Sequence, residues 1–229
     1  MNLLEFQRSL EPAFYHVDSV TLDKFREMLE SAEALWLHSG QPQAPHAELT
    51  SGKCSDGFAD VLRLLRFSRI GFLLARELTL AIRSAYDGPI DWVVGSDHAG
   101  ATLSQNVAVW LGAKHDFTEK GEGKGQLWKR FKIEENEVVL QVEELMTTAL
   151  TFQEVRKGIR AFHEYPIKFA PVAGVLVHRS DVTEIEQTRI VPYAHYDIKV
   201  WDPAECPFCK SGSVRVRPKT NWAQLTGKA

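Results

Sequence analysis

Apolar and polar positions recur along this chain with two different periods, and the places where the period changes mark out its elements. Between residues 67 and 86, Ile70, Leu73, Leu74, Leu78, Ala81, Ile82 and Ala85 make one apolar face at helical spacing, and Asp87-Gly88-Pro89 ends the run. Residues 90–95 (IDWVVG) read as a buried strand. A helix over 101–111 follows, with Leu103, Val107, Trp110 and Leu111 facing inward. Another short strand is expected near 113–118, then a Gly- and Lys-rich loop, then paired strands at 129–133 and 137–142. From about Thr151 a helix carries Phe152, Val155, Ile159 and Phe162 at spacings of three, four and three, and 167–178 reads as one more buried strand. Upstream, the pattern predicts a helix over 21–38 with Thr21 as its N-cap, and a Pro-punctuated loop over 41–48. The order β-α-β-loop-β-β-α-β predicts an α/β fold with a central, mostly parallel sheet flanked by helices. Ligands of such sheets sit at the carboxyl ends of the strands, near a topological switch point.

Composition narrows the classes. At 229 residues and 44% hydrophobic, the chain can bury a full core. A formal charge of −3 carries no bulk signature of nucleic-acid or membrane binding. No apolar run approaches the ~18–20 residues that cross a bilayer. The opening MNLLEFQRSLEPAFYHVDSV has no basic region followed by an apolar stretch, so it does not read as a secretory signal. Three cysteines are too few, and odd in number, for a disulfide framework. The cytoplasm is the expected location.

The chemistry concentrates in Glu137–Thr151 (EVVLQVEELMTTALT). The mostly apolar run Val138–Val142 is followed at once by Glu143 and Glu144, then by Thr147, Thr148, Ala149, Leu150 and Thr151 at the start of a helix. Backbone N–H groups of such a turn, aided by the helix dipole, can receive a phosphate. The hydroxyls add donors, and the carboxylates can accept hydrogen bonds from ribose hydroxyls. Ordinary helix capping by Thr and Glu is the plainer use of the same residues.

Four further segments are expected to place useful groups at the same edge. Leu49–Asp60 (LTSGKCSDGFAD) has a Ser-Gly-Lys turn whose Lys53 can meet a diphosphate. Gly95–Thr102 joins a strand to a helix and carries two glycines that let the backbone approach an anion. Thr118–Lys132 interleaves three glycines with Lys120 and Lys124, the composition of a mobile cationic lid. Arg179 follows a strand end, where a guanidinium can hold a planar carboxylate by two parallel bonds.

In order and spacing, these segments resemble the type I phosphoribosyltransferases, and most closely the orotate phosphoribosyltransferases. The hydrophobic strand, two acids, two variable residues and Thr-Thr turn resemble that family's phosphoribosyl-diphosphate (PRPP) signature. LTSGKCSDGFAD and DWVVGSDHAGATLSQNVAVWLGA are similar to its Ser-Gly-Lys/Arg segment and its strand-loop-helix. The resemblance covers residues 45–180. It implies a core over 46–200, an N-terminal helical extension over 1–45 and a tail over 201–229, with the two ends forming a small hood. It also implies transfer of ribose 5-phosphate from PRPP to orotate, giving orotidine 5′-monophosphate and diphosphate in pyrimidine nucleotide biosynthesis. Glu143 and Glu144 would then grip the ribose hydroxyls. Thr147, Thr148, Ala149, Leu150 and Thr151 would cradle the 5-phosphate, Lys53, Lys120 and Lys124 would address the diphosphate, and Arg179 the base. Mg²⁺ would arrive bound mainly to PRPP, and the protein would be a homodimer without nucleic-acid or membrane partners.

This chain departs from the family pattern in Glu144, where the usual second acid is Asp, in Ala149 and Leu150 at the turn glycines, and in Glu119 before Lys120. A PRPP- or nucleotide-binding regulator on the same fold, or an enzyme for another base, are the alternative readings. In the tail, Cys206-Pro-Phe-Cys209 is half a zinc site, which His195, Cys54 or a second subunit could complete. The simpler reading is a tight turn with two reduced thiols, and no metal is assigned.

Overall fold

The computed structural model describes residues 18–123 and 125–227. The first seventeen residues of the expected N-terminal extension, Lys124 and the last two residues lie outside it. The chain divides into two compact units: one takes 65–195 with the described residues 18–21, and the other takes 22–64 with the chain from 196 onward. No described helix is long and apolar enough to cross a membrane.

The second unit begins with helix α1 (Leu22–Ser31) and strands β1 (Leu35–Leu37), β2 (His46–Glu48), β3 (Cys54–Ser55) and β4 (Gly57–Ala59), then a short α2 (Leu62–Leu65). The expected helix over 21–38 therefore stops at Ser31. Glu33 takes a left-handed turn (φ 56°), and Leu35–Leu37 pair antiparallel with Gly57–Ala59. The pairing partner lies far along the sequence, and it outweighs a local helical pattern. The predicted loop 41–48 likewise ends in β2.

The first unit continues with α3 (Ser68–Ala85), β5 (Trp92–Gly95), α4 (Ala99–Leu111), β6 (Lys114–Phe117), β7 (Glu119–Lys120), β8 (Gln126–Leu127) and β9 (Val138–Met146). It closes with α5 (Leu150–Phe162), β10 (Lys168–Phe169), β11 (Val172–His178), β12 (Glu184–Ile185) and β13 (Thr188–His195). The second unit then resumes with β14 (Val200–Trp201), α6 (Pro207–Lys210), β15 (Arg215–Val216) and α7 (Trp222–Thr226). The expected strand at 129–133 is irregular instead. Trp128 and Ile133 are buried there, while Trp128 Nε1 and the Tyr165 hydroxyl satisfy the carbonyls of Phe131 and Ile133. The single strand expected over 167–178 is split at Ala170-Pro171 into β10 and β11.

In the main sheet the order is β12-β13-β11-β9-β5-β6, and every neighbouring pair is parallel except β12 with β13. Strand alternation sends Trp92, Val94 and Val139 to one face, where they meet Val155 and Ile159 of α5. On the other face α3 packs against β11. Gly174 allows the close approach there, since a Cβ would meet the Ile82 Cδ1 at 2.6 Å. α4 lies against α3, with the Phe72 and Trp110 rings 4.7 Å apart and Trp110 Nε1 donating to the Phe72 carbonyl.

β9 is the hinge of the topology. From β5 the chain crosses through α4 to β6 on one side, while from β9 it crosses through α5 to β11 on the other. The loops after β5 and β9 thus part at a topological switch point, where the strand ends leave a crevice.

The β7–β8 hairpin is tied to this body at Gly158 of α5, where a Cβ would run into the Gln126 carbonyl oxygen. Helix propensity alone favours Ala over Gly by about 1 kcal/mol. Gly158→Ala should nonetheless destabilise the protein, by about 1–3 kcal/mol in denaturant unfolding, because the opposing atom is backbone. A gain in stability would show that the hairpin does not seat on α5.

Candidate active site

The crevice is lined from one side by Gly95–Gly100 and from the other by Glu143–Thr151. Glu143 lies in β9 on the same face as Gln141 and is 3% exposed. One of its oxygens accepts from the Ser96 hydroxyl (2.7 Å) and the other from Gln141 Nε2 (2.9 Å). Gln141 also donates to the Phe152 carbonyl (3.1 Å), and its oxygen accepts from Arg156 Nε (3.2 Å). Burial pushes the Glu143 carboxyl up to about 7, against the lowering effect of the Ser96 and Gln141 donors, with the charge of Asp97 adding to the rise. Burial likewise lowers Arg156 to about 10, although Glu186 stands 3.6 Å away. This layer has no room to spare. A Cβ on Gly100 would sit 2.5 Å from Ser96 Oγ, and one on Gly95 would strike the Gly100 carbonyl.

The strand runs to Met146, so both acids belong to it, and alternation turns them to opposite faces. Glu143 is committed to the interior, whereas Glu144 is half-buried. Thr147 and Thr148 form the turn beyond. Ala149 takes the left-handed conformation (φ 58°, ψ −6°), which costs an alanine about 1–2 kcal/mol. Its carbonyl accepts from the Gln153 N–H (3.1 Å), and no side chain caps α5. The first N–H groups of α5, on Leu150, Thr151 and Phe152, therefore open toward the turn as donors for an anion. Thr148, Leu150 and Thr151 are exposed.

Arg179 sits one strand away. Its N–H donates to the Met146 carbonyl (3.0 Å), which pins it beside the end of β9. Its guanidinium is half-buried, burial lowers its pKa, and among the described residues no carboxylate pairs with it.

On the opposite wall, Gln126 Nε2 donates to Asp97 (3.0 Å), and Thr118 Oγ1 donates to Gln126 Oε1 (2.8 Å). Burial pulls the Asp97 carboxyl upward, but the Gln126 and His98 bonds, with the charges of His98 and Lys120, leave it below the usual range. Lys120 is exposed on β7. Glu119 is drawn away by Lys129 (2.8 Å) and Arg130 (3.3 Å), and those bonds lower its pKa. The segment that reads as a lid is thus a hairpin with a fixed stem. Lys124 is outside the described residues. Lys53 belongs to the second unit, where it pairs with Asp202 at 3.3 Å. The segments that hold Ser96, Asp97, Gln126 and Gln141 stand out in the sequence, but the roles of these four side chains are visible only in the fold. Gln141 carried the one available signal, as the single polar residue within Val138–Val142.

No family model matches the chain. A solved structure of orotate phosphoribosyltransferase from Aeropyrum pernix superposes with a TM-score of 0.52 at 19% identity, covering 74% of this chain and 92% of that one. The fold is that of the type I phosphoribosyltransferases. Sequence carries the assignment further. An orotate phosphoribosyltransferase of Pelotomaculum thermopropionicum is 34% identical over 185 residues, spanning 81% of this chain and 94% of that protein. One from a Thermoanaerobacter species is 30% identical over 192 residues, spanning 83% and 97%. This chain belongs to the orotate phosphoribosyltransferase family.

Because Glu143 is held above its unfolded value, the folded protein keeps a proton that the unfolded chain releases from about pH 4.5 upward. Stability should therefore fall as pH rises toward 7, by at most on the order of 3 kcal/mol, and level off above it. Urea midpoints at several pH values should show this loss in the native protein and a smaller loss in Glu143→Gln. Parallel pH profiles would mean that Glu143 is ionised throughout.

Proposed function

We propose that this chain transfers ribose 5-phosphate from PRPP to orotate, releasing diphosphate and orotidine 5′-monophosphate. The observation that carries the reading is the juxtaposition, at adjacent strand ends, of a helix N-terminus and a guanidinium that, among the described residues, have no side-chain cap and no carboxylate partner. The Thr147–Thr151 turn takes the 5-phosphate through the N–H groups and hydroxyls at the head of α5. Glu144 accepts from the ribose hydroxyls and places negative charge near a sugar that becomes cationic as the diphosphate departs. Glu143 does not reach the sugar; it fixes the Ser96 loop against β9. Lys120 approaches the diphosphate, and by resemblance Lys124 joins it. Arg179 receives the orotate carboxylate in two parallel bonds, which restores the charge partner that burial denies it. The oxygen donors at this edge, Asp97 and Glu144, suit Mg²⁺ carried on PRPP. The ion would neutralise charge on the diphosphate. Membership of the family supports the assignment to orotate, and a cytoplasmic homodimer is the form inferred from it.

The test is diphosphate release from PRPP with Mg²⁺, with orotate and with a panel of purine and pyrimidine bases. Release should depend on orotate. Arg179→Ala should raise KM for orotate roughly 10–100-fold, and Arg179→Lys should rescue it poorly because an ammonium cannot form the paired contact. Lys120→Ala should lower kcat about 10²-fold, with KM for orotate little changed. Equal release with a purine would overturn the choice of base. PRPP binding without release from any base would leave a regulator on this fold.

A further inference from the structure

All three cysteines of the chain converge on one histidine, within the second unit. His46 on β2, Cys54 on β3, and Cys206 and Cys209 around α6 each offer one ligand atom, and the four atoms lie within 4.8 Å of one another. We propose that this cluster is a structural zinc site, with the three thiolates and His46 Nε2 as a closed tetrahedral set.

Distances between the ligand atoms support this reading. With Zn–S near 2.3 Å and Zn–N near 2.0–2.1 Å, a tetrahedron has S···S edges of about 3.8 Å and S···N edges of about 3.6 Å. Cys54 Sγ and Cys209 Sγ are 3.6 Å apart, and Cys209 Sγ is 3.4 Å from His46 Nε2. A disulfide would need about 2.05 Å and would leave the third thiol without a partner. Three soft sulfur donors and an imidazole select zinc over a hard cation such as Mg²⁺.

The histidine is already set in the required tautomer. Ser213 Oγ gives its proton to the Ala44 carbonyl (2.6 Å), so it accepts from His46 Nδ1–H at 2.8 Å. The Nε2 lone pair is left facing Cys209. Such an outer bond, which orients the ring and fixes its tautomer, is typical of zinc-bound histidines. His46, Cys54 and Cys206 are fully buried and Cys209 is half-buried, so the set is enclosed and suits a structural ion. The Phe208 ring, between the two tail cysteines, lies 5.4 Å from the His46 ring and 5.6 Å from that of Trp201, forming an aromatic shell.

The site joins distant parts of the sequence. Cys209 is 155 residues from Cys54 and 163 from His46. The sheet around it is made of strands two or three residues long, β14-β3-β2-β15, with little cooperative strength of its own. Zinc would supply that strength, displacing the thiol protons as it binds.

The test uses the full chain, purified without a metal-affinity step or chelator. Elemental analysis should find about one zinc per chain. A Cys206→Ser/Cys209→Ser variant should hold less than about a tenth of that, whereas His195→Ala should keep it all. If the cysteine variant fails to fold, the native protein decides. Chelation should lower its Tm, Zn²⁺ but not Mg²⁺ should restore it, and Co²⁺ exchange should give the visible bands of a tetrahedral thiolate site. Native protein from zinc-supplemented growth that holds almost no zinc, with a Tm indifferent to Zn²⁺ and chelator, would overturn the proposal. So would a Cys54–Cys209 disulfide in non-reducing mass spectra, or zinc lost in His195→Ala.

Discussion

The hydrogen bond from Ser96 to the buried carboxyl of Glu143 ties the loop after β5 to strand β9 at the switch point where their crossovers diverge. β5 and β9 are neighbours in the sheet, but their crossovers leave in opposite directions. Such a geometry opens a crevice and leaves its walls with few main-chain bonds between them. Ser96 and Glu143 supply the missing link at 2.7 Å. The link tolerates only glycine at positions 95 and 100, and it fixes where the head of α4 meets the end of β9.

Electrostatics explains why that link can lie in the interior. A buried carboxylate without a cation is costly, and among the described residues the donors to Glu143 are neutral, so its pKa rises to about 7, where the proton is roughly half retained at neutral pH. Arg156, a buried cation nearby, spends its charge on Glu186 and on the rings of Phe152 and Phe169, 4.6 and 4.3 Å away. The crevice itself is therefore left to Glu144, Asp97, Lys120 and Arg179, which are half-buried or exposed. The same division removes the difficulty posed by Glu119. Its charge is answered by Lys129 and Arg130 and does not oppose an incoming anion unscreened.

Much of the first unit was legible in the sequence, because α3, α4, α5 and the strands β5, β6 and β9 bury their own periodic faces. The second unit was not, because its strands owe their existence to partners far along the chain. Leu35–Leu37 continue a helical pattern until Gly57–Ala59 pair with them, and His46 stands in a Pro-rich stretch that reads as loop. That is also why C-x-x-C and Cys54 could be seen but not the histidine that joins them. Sequence offered His195, which lies in β13 with its ring 5.2 Å from that of His178. In the crevice, the Thr147–Thr151 turn and Arg179 could be marked by residue type and position. The separation of Glu143 from Glu144 could not, since burial depends on what β5 and α5 place over each face.

The central claim is that phosphate binds at the head of α5, between the turn and the strand ends. Amide ¹H–¹⁵N spectra of the full chain during titration with ribose 5-phosphate test it most directly. Saturable shifts led by the amides of Leu150, Thr151 and Phe152, and diminished in Thr148→Val, are the predicted result. Saturable binding that leaves those amides unmoved while shifting others would contradict the account.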